Sequence, residues 1–369
     1  MILVSASPGE LRAAVLDRAG RLADFAISRP GAPDGIGDVY RGRIARSVPT
    51  MAGAFVLIEP EQYGFLPDTE GAAGLSEGAW IAVRVTRAAQ GGKGPRLAAT
   101  EAEGAGPVGL VSRGADAVRR LAARWREAPL LVDDPVVQIR LASALPGRVR
   151  SGPGFDDALE AELAGLAEAT HGLPGGAIAH IHPTPALVAI DVDAALAATS
   201  SHAVINRAVI PELARQIRLR NLSGVILIDL AGLSTRRRKA LAPDFVAALA
   251  TDPLKPRFFG FTALGLAEIL RPRMAPPLHE LLSGPHAAGL AALRAVARES
   301  RAAPGQIVAL RAAPSVVGVL ERDAEALADL ARRTGRPLAM KSEPALAPTG
   351  WVLEVHSVGR EARTASRPT

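Results

Sequence analysis

Two short apolar runs, each ending on a carboxylate, constrain the fold more than any other feature of the chain. LVAIDVD occupies 187–193 and VILIDLAG occupies 225–232. Apolar, β-branched runs of this length read as strands buried on both faces. Between them, PELARQIRLRNLSG (211–224) has Pro where a first helical turn would begin and Gly where it would stop. Leu213 and Ile217 share one helical face, and Arg215 and Arg218 share another. Strand, helix, strand predicts a crossover connection and therefore parallel strands. Parallel strands end on the same side, so Asp191 and Asp229 should meet at one sheet edge, where α/β sheets bind ligands.

Two carboxylates brought that close repel each other unless a cation lies between them. Hard oxygen donors suit Mg²⁺, with Mn²⁺ as the alternative, held by one or two carboxylates plus waters and a phosphate. Asp193 lies one strand period beyond Asp191 and points the same way, which makes it a third candidate donor. Strand-end aspartates are also ordinary surface features of α/β proteins, so the pattern alone leaves both readings open. The surrounding charge bears on the choice. From 200 to 273 there are twelve Lys/Arg against five Asp/Glu, a net +7 in a chain whose whole net charge is +6. Acidic donors in a basic surround suit a polyanionic substrate and a metal-activated water.

The order IDVD, Asn206, ELARQIRLRNLSGVILID (212–229) and GFTALGLAEILRPR (260–273) resembles the catalytic core of the ribonuclease E/G family. The resemblance extends, unevenly, over nearly the whole chain. It implies a mixed α/β fold of several subdomains: an RNase H-like subdomain with an inserted OB-fold barrel, a DNase I-like α/β catalytic subdomain, and a small C-terminal α/β domain. The implied divisions are 1–35 and 129–186 for the RNase H-like parts, 36–100 for the barrel and 101–128 for a reduced 5′-sensor-like segment. The catalytic subdomain would take 187–280, the C-terminal domain 281–358 and a disordered tail 359–369. The resemblance also implies that Asp191 and Asp229 bind the catalytic magnesium. Asp193 stands where the family usually has Asn.

Upstream, residues 1–30 alternate apolar and polar positions around a turn at Arg18, Ala19 and Gly20, which predicts three short hairpin-connected strands. From 37 to 97, short strands at close spacing with Gly at the bends predict a small closed barrel. Tyr40, Phe55 and Phe65 interleave with Arg41, Arg43, Arg46, Arg84, Arg87 and Lys93. Aromatics beside cations suit an OB-fold that binds single strands, although Phe55 and Phe65 would also serve as barrel core. In the family, Phe55, Phe65 and Lys93 match RNA-contacting positions. GLVSRG (109–114) resembles the family's 5′-end sensor, with Arg113 at the Arg position and Gly114 in place of Thr.

Further along, Val118, Leu121 and Trp125 are spaced as one buried helical face, and the Asp133-Asp134-Pro135 run predicts a capped turn. His171, His180 and His182 lack the helical pairing of a zinc site and read as surface histidines. Arg236, Arg237, Arg238 and Lys239 follow Asp229 closely, as either a solvated face or a phosphate clamp, with Arg237 the candidate RNA contact. No apolar run reaches the roughly 18 residues of a membrane helix. The N-terminal stretch lacks a signal-peptide pattern. With no cysteine in the chain, the expectation is a cytoplasmic protein without disulfides or zinc. Larger family members share a zinc between subunits through a Cys-Pro-x-Cys. Its absence removes the expectation of a zinc-linked tetramer and leaves a homodimer.

The function that follows is a Mg²⁺-dependent endoribonuclease cleaving single-stranded RNA, in RNA processing or decay, and leaving 5′-phosphate and 3′-hydroxyl ends. Asp191 and Asp229 would hold the metal with Asp193 assisting, and Asn206, Arg215 and Arg218 would position the phosphate. The alternative is a catalytically weakened RNA-binding or ribosome-assembly protein of the same family. Asp193, Gly114, Gly232 in place of an acidic residue, and a short loop between Asp191 and Asn206 favour it.

Overall fold

The computed structural model describes residues 1–101, 106–194, 201–357 and 360–365. The short loop between Asp191 and Asn206 runs largely outside the described residues, as do parts of the 101–128 segment and of the 359–369 tail. Two compact units make up the chain. Met1–Pro33, Ala117–Glu160 and His279–Thr369 form the first, and Asp34–Asp116 with Ala161–Leu278 form the second.

The chain opens in the first unit with β1 (Ile2–Ser7), β2 (Glu10–Leu16) and β3 (Leu22–Ser28), the antiparallel meander that the alternation predicts. It then enters the second unit and builds β4 (Val39–Val48), β5 (Gly53–Glu59), β6 (Gln62–Pro67), β7 (Trp80–Arg87) and β8 (Arg96–Ala99). These run in the order β5-β6-β8-β7-β4 and close through a β4–β5 pairing, with β6 and β8 parallel. That closure is OB-type. A further strand, β9 (Gly109–Ser112), adds to β4. Tyr40, Ile44, Val56, Leu66, Val83 and Leu97 fill the interior. Strand alternation therefore leaves Phe55 and Phe65 half-buried on the outer surface.

Back in the first unit, α1 (Ala117–Arg124) buries Val118 and Leu121. Trp125, expected in the same core face, is instead 37% exposed, and its indole N–H donates to Asp24 at 3.1 Å. Next come β10 (Leu130–Val132), α2 (Pro135–Ala144) and β11 (Val149–Ser151). Asp134 caps α2 by accepting from the Val137 amide, which answers the Asp-Asp-Pro run. The strands join β1 to give the sheet β11-β10-β1-β2-β3, so the barrel interrupts this subdomain.

After α3 (Asp157–Gly165) come β12 (Thr170–Gly172), β13 (Ile178–Pro183), β14 (Val188–Asp193), β15 (Gly224–Asp229), β16 (Arg257–Phe261) and β17 (Ala267–Arg271). They form one sheet, β12-β13-β14-β15-β17-β16, parallel at β14–β15 and antiparallel elsewhere. The structure thus assigns β12 and β13, expected in the RNase H-like part, to this sheet, because β13 pairs with β14 along its whole length.

Three helices accompany the sheet: α4 (His202–Leu219), α5 (Thr235–Lys239) and α6 (Ala242–Leu249). α4 begins well before Pro211, which lies inside the helix rather than at its first turn. Pro211 and Arg207 are both exposed, so the hydrogen bond that Pro cannot donate is missing on the solvent side, where it costs least. α4 and α6 cover one face of the sheet, where Ile205, Val209, Leu213, Ile217 and Phe245 share a core with Val188, Ile190, Ile226 and Ile228. Among the described residues no helix of this sheet covers its other face. Strands expected to be buried on both sides therefore alternate, leaving Ala189, Asp191 and Asp193 exposed.

The C-terminal module contains α7 (Leu278–Leu282), α8 (Gly284–Ala302), β18 (Gln306–Ala312), α9 (Pro314–Arg322) and α10 (Ala324–Thr334). It ends with β19 (Ala339–Ser342), β20 (Trp351–Ser357) and β21 (Arg360–Ala365), in a sheet ordered β19-β18-β20-β21. β21 pairs with β20, so the segment expected to be a disordered tail is in part a strand.

Candidate active site and nucleic-acid interface

Asp191 and Asp229 are direct register partners on the parallel pair β14–β15, at the carboxyl ends of both strands. Both lie on the face that α4 and α6 leave uncovered. Asp193 shares that face one strand period on, but among the described residues no three His, Cys, Asp or Glu side chains converge on a point able to hold a metal. Asp193 is therefore not part of a three-carboxylate cluster. On the other side of Asp191, β13 places His180 as its register partner. The row across three strands is thus His180, Asp191, Asp229. A sequence reading that treats His180 as an isolated surface histidine misses this, because only the β13–β14 register reveals it.

Asp229 is held by Arg238, whose Nη1 donates to its Oδ1 at 2.5 Å. The same guanidinium donates to the carbonyls of Leu233 and Gly265, which fixes its plane. Arg238 is thus the cation of the α5 run that reaches the carboxylate, while Arg237, the residue singled out from sequence, is exposed. Asn206 is fully buried, and its amide nitrogen donates to the carbonyls of His202 and Ala231, both at 2.7 Å. It ties α4 to the loop that follows Asp229. This corrects the expectation of a phosphate contact, since burial removes the side chain from solvent. Gly232 has φ +54°, and a Cβ there would meet the His202 ring at 2.6 Å.

Two arginines of α4, Arg215 and Arg218, and Arg220 just beyond its end are engaged by other parts of the protein. Arg215 donates to Glu162 at 2.6 Å and to Glu212 at 2.8 Å. Arg218 donates to Thr251 Oγ1 at 3.1 Å. Arg220, buried, donates to Gln216 and to the carbonyls of Glu168 and Gly165. Burial works against ionisation of Glu212, yet hydrogen bonds from His171, Gln216 and Arg215 outweigh it and hold its carboxyl down at about 2. Arg215 is thereby committed to structure rather than to a phosphate, and Arg218 has a partner on the α6 side.

On the barrel, Phe55 and Phe65 are cross-strand partners with ring centroids 5.6 Å apart in an edge arrangement. Arg46 pairs with Phe55 and Arg96 pairs with Phe65, which yields a stripe of two rings between two guanidinium groups. Lys93 is exposed in the β7–β8 loop. Arg113 is more than half exposed, and its Nη1 donates to the buried Asp38 at 2.7 Å, while Asp38 also accepts from the Gly114 amide. A Cβ at Gly114 would lie 2.3 Å from the Ile36 carbonyl oxygen, so Thr does not fit there without a backbone shift.

Fold and site together define a mixed α/β protein that combines an OB-type barrel, cations and aromatics on its outside, with a sheet edge bearing paired carboxylates. The Ribonuclease E/G family model matches residues 153–274. The chain is 37% identical to ribonuclease E of Nostoc sp. over 115 residues, 30% of this chain and 17% of that protein. It is 24% identical to ribonuclease G of Escherichia coli K12 over 402 residues, covering 76% of this chain and 81% of that protein. Against ribonuclease E of the same bacterium it is 25% identical over 401 residues, which is 37% of that longer protein. The match therefore spans less than a fifth of the cyanobacterial relative and most of the ribonuclease G. These matches support membership of the ribonuclease E/G family.

Proposed function

We propose that the protein is an endoribonuclease of RNA processing or decay, cutting single-stranded RNA at the β14–β15 edge with the aid of Mg²⁺. The observation that carries this reading is the register of Asp191 against Asp229 on adjacent parallel strands. Paired oxygen donors on an uncovered face fit Mg²⁺, which takes one or two carboxylates and completes its shell with waters and a phosphate; Mn²⁺ fits the same donors. When bound, the ion would neutralise charge on the phosphate and ease ionisation of the attacking water. The chain's own groups do the rest. Arg238 orients Asp229, Asn206 fixes the following loop, and the stripe of Phe55, Phe65, Arg46 and Arg96 holds the strand by stacking and charge.

In-line attack by water on phosphorus breaks the bond to the 3′ oxygen and leaves a 3′-hydroxyl and a 5′-phosphate. A homodimer in the cytoplasm is the setting we propose. No helix among the described residues is long and apolar enough to cross a membrane. The test is end analysis of the products from an unstructured oligoribonucleotide. Products that ligate directly through a 5′-phosphate and a 3′-hydroxyl support the reading; a 2′,3′-cyclic phosphate contradicts it. Binding without cleavage would favour the RNA-binding alternative, for which Gly232 and the engagement of Asp229 by Arg238 speak.

A further inference from the structure

The barrel carries a second aromatic row, one strand period from the Phe55–Phe65 stripe. Trp80, Arg43, Leu57 and Tyr63 are successive register partners on β7, β4, β5 and β6. Their chain neighbours Ile44, Val56 and Gly64 point inward, so these four lie on the outer surface. Trp80 is 47% and Tyr63 48% exposed, unusual for rings of this size. The Arg43 guanidinium lies 5.8 Å from the Trp80 ring centroid. Arg43 Nε donates to the Gly78 carbonyl at 3.0 Å, which fixes the group beside the ring. An open surface depression of about 280 Å³ lies beside Arg43, Leu57 and Gly78.

We propose that this row is a second base-stacking subsite for single-stranded RNA, continuous with the first. Tyr63 precedes Phe65 by two residues on the same face of β6, roughly 7 Å along the strand, so a base stacked on Phe65 has a second platform beside it. Arg43 and Arg46, both exposed on β4, flank the two rows and supply cations for the connecting phosphates. A protein surface would be met mainly by apolar side chains; here two exposed rings share the row with a guanidinium and only Leu57 is aliphatic, which suits a nucleobase and its phosphodiester. The subsite lengthens the bound strand and so sets a minimum substrate length. The inference rests on the reading of the barrel as an RNA binder.

The experiment uses the full chain without divalent metal, so that binding is read without cleavage. Oligouridylates of about four and about twelve nucleotides, the limits of a single OB-fold footprint, serve as probes. The chain holds three tryptophans; a Trp125→Phe, Trp351→Phe background leaves Trp80 as the sole indole reporter. Quenching of Trp80 by the long probe is expected. Trp80→Ala with Tyr63→Ala should weaken the long probe by on the order of five- to a hundredfold and leave the short one unchanged, and Trp80→Phe should restore most of the loss. Phe55→Ala should weaken both probes. If Phe55→Ala weakens binding but the double variant matches wild type at both lengths, with Trp80 unquenched, the second subsite is overturned and the RNA reading stands. If neither probe binds the wild type, both fall.

Discussion

At the scale of single residues, three positions carry consequences that can be measured. At both Gly114 and Gly232, where the resemblance implies other side chains, a Cβ would collide with neighbours. Gly114→Thr should therefore lower stability by about 1–3 kcal/mol, read as a fall in melting temperature, without creating a sensor for a terminal phosphate. The same geometry predicts that 5′-hydroxyl and 5′-monophosphorylated RNA are cut at similar initial rates. An exposed arginine gives about 1 kcal/mol of preference, a factor of about five, because water screens it. Arg113, already paired with Asp38, offers no more. A hundredfold preference for the monophosphate would show a working sensor. Asn206 is the third position. Asn206→Ala leaves the Ala231 carbonyl without its donor and should cost about 1–3 kcal/mol; a neutral effect on melting would contradict its role as a tie between α4 and the loop after Asp229.

Among the elements, α4 is the clearest example of a charged helix doing structural work. Its Glu212 has an ordinary value of 4.5 and sits at about 2 in the folded chain. A depressed carboxylate adds stability that is complete above its unfolded value and is lost as pH falls towards its folded one. The wild type should thus lose stability between about pH 4.5 and pH 2 through this group, by at most about 3 kcal/mol. In Glu212→Gln that portion of the acid slope should vanish. Denaturation midpoints of both proteins across this range measure it directly, and parallel curves would contradict the assignment. The β14–α4–β15 unit is readable from sequence because a crossover connection forces two strands to end together, which brings Asp191 to Asp229. What is not readable is which face the helices cover. Arg215 looks like a surface cation by its spacing, and only tertiary placement of Glu162 beside it reveals an internal ion pair. His180 is hidden for a related reason: the β13–β14 pairing register is a property of the folded sheet.

For the whole molecule, the net charge of +6 and the barrel's exposed cations predict RNA binding that weakens steeply with salt, as phosphates displace counterions. A flat plot of log affinity against log salt would exclude a polyanion ligand. The barrel is legible in the sequence because its short strands and glycines follow one another in order; the assignment of β12 and β13 to the β14–β15 sheet escapes it because pairing there skips no long loop and leaves no composition boundary. The central claim is that the Asp191–Asp229 pair makes this fold a metal-dependent nuclease. Its most direct measurement is the cleavage of an unstructured oligoribonucleotide, with and without Mg²⁺, by the wild type, Asp191→Asn and Asp229→Asn, each checked for an unchanged melting temperature. Cleavage by the wild type is expected only when Mg²⁺ is present, with a loss of at least about a hundredfold in either variant, the scale of removing one preorganised charge at a reacting phosphate. Metal-independent cleavage, or undiminished cleavage by a folded Asp229→Asn, would contradict it.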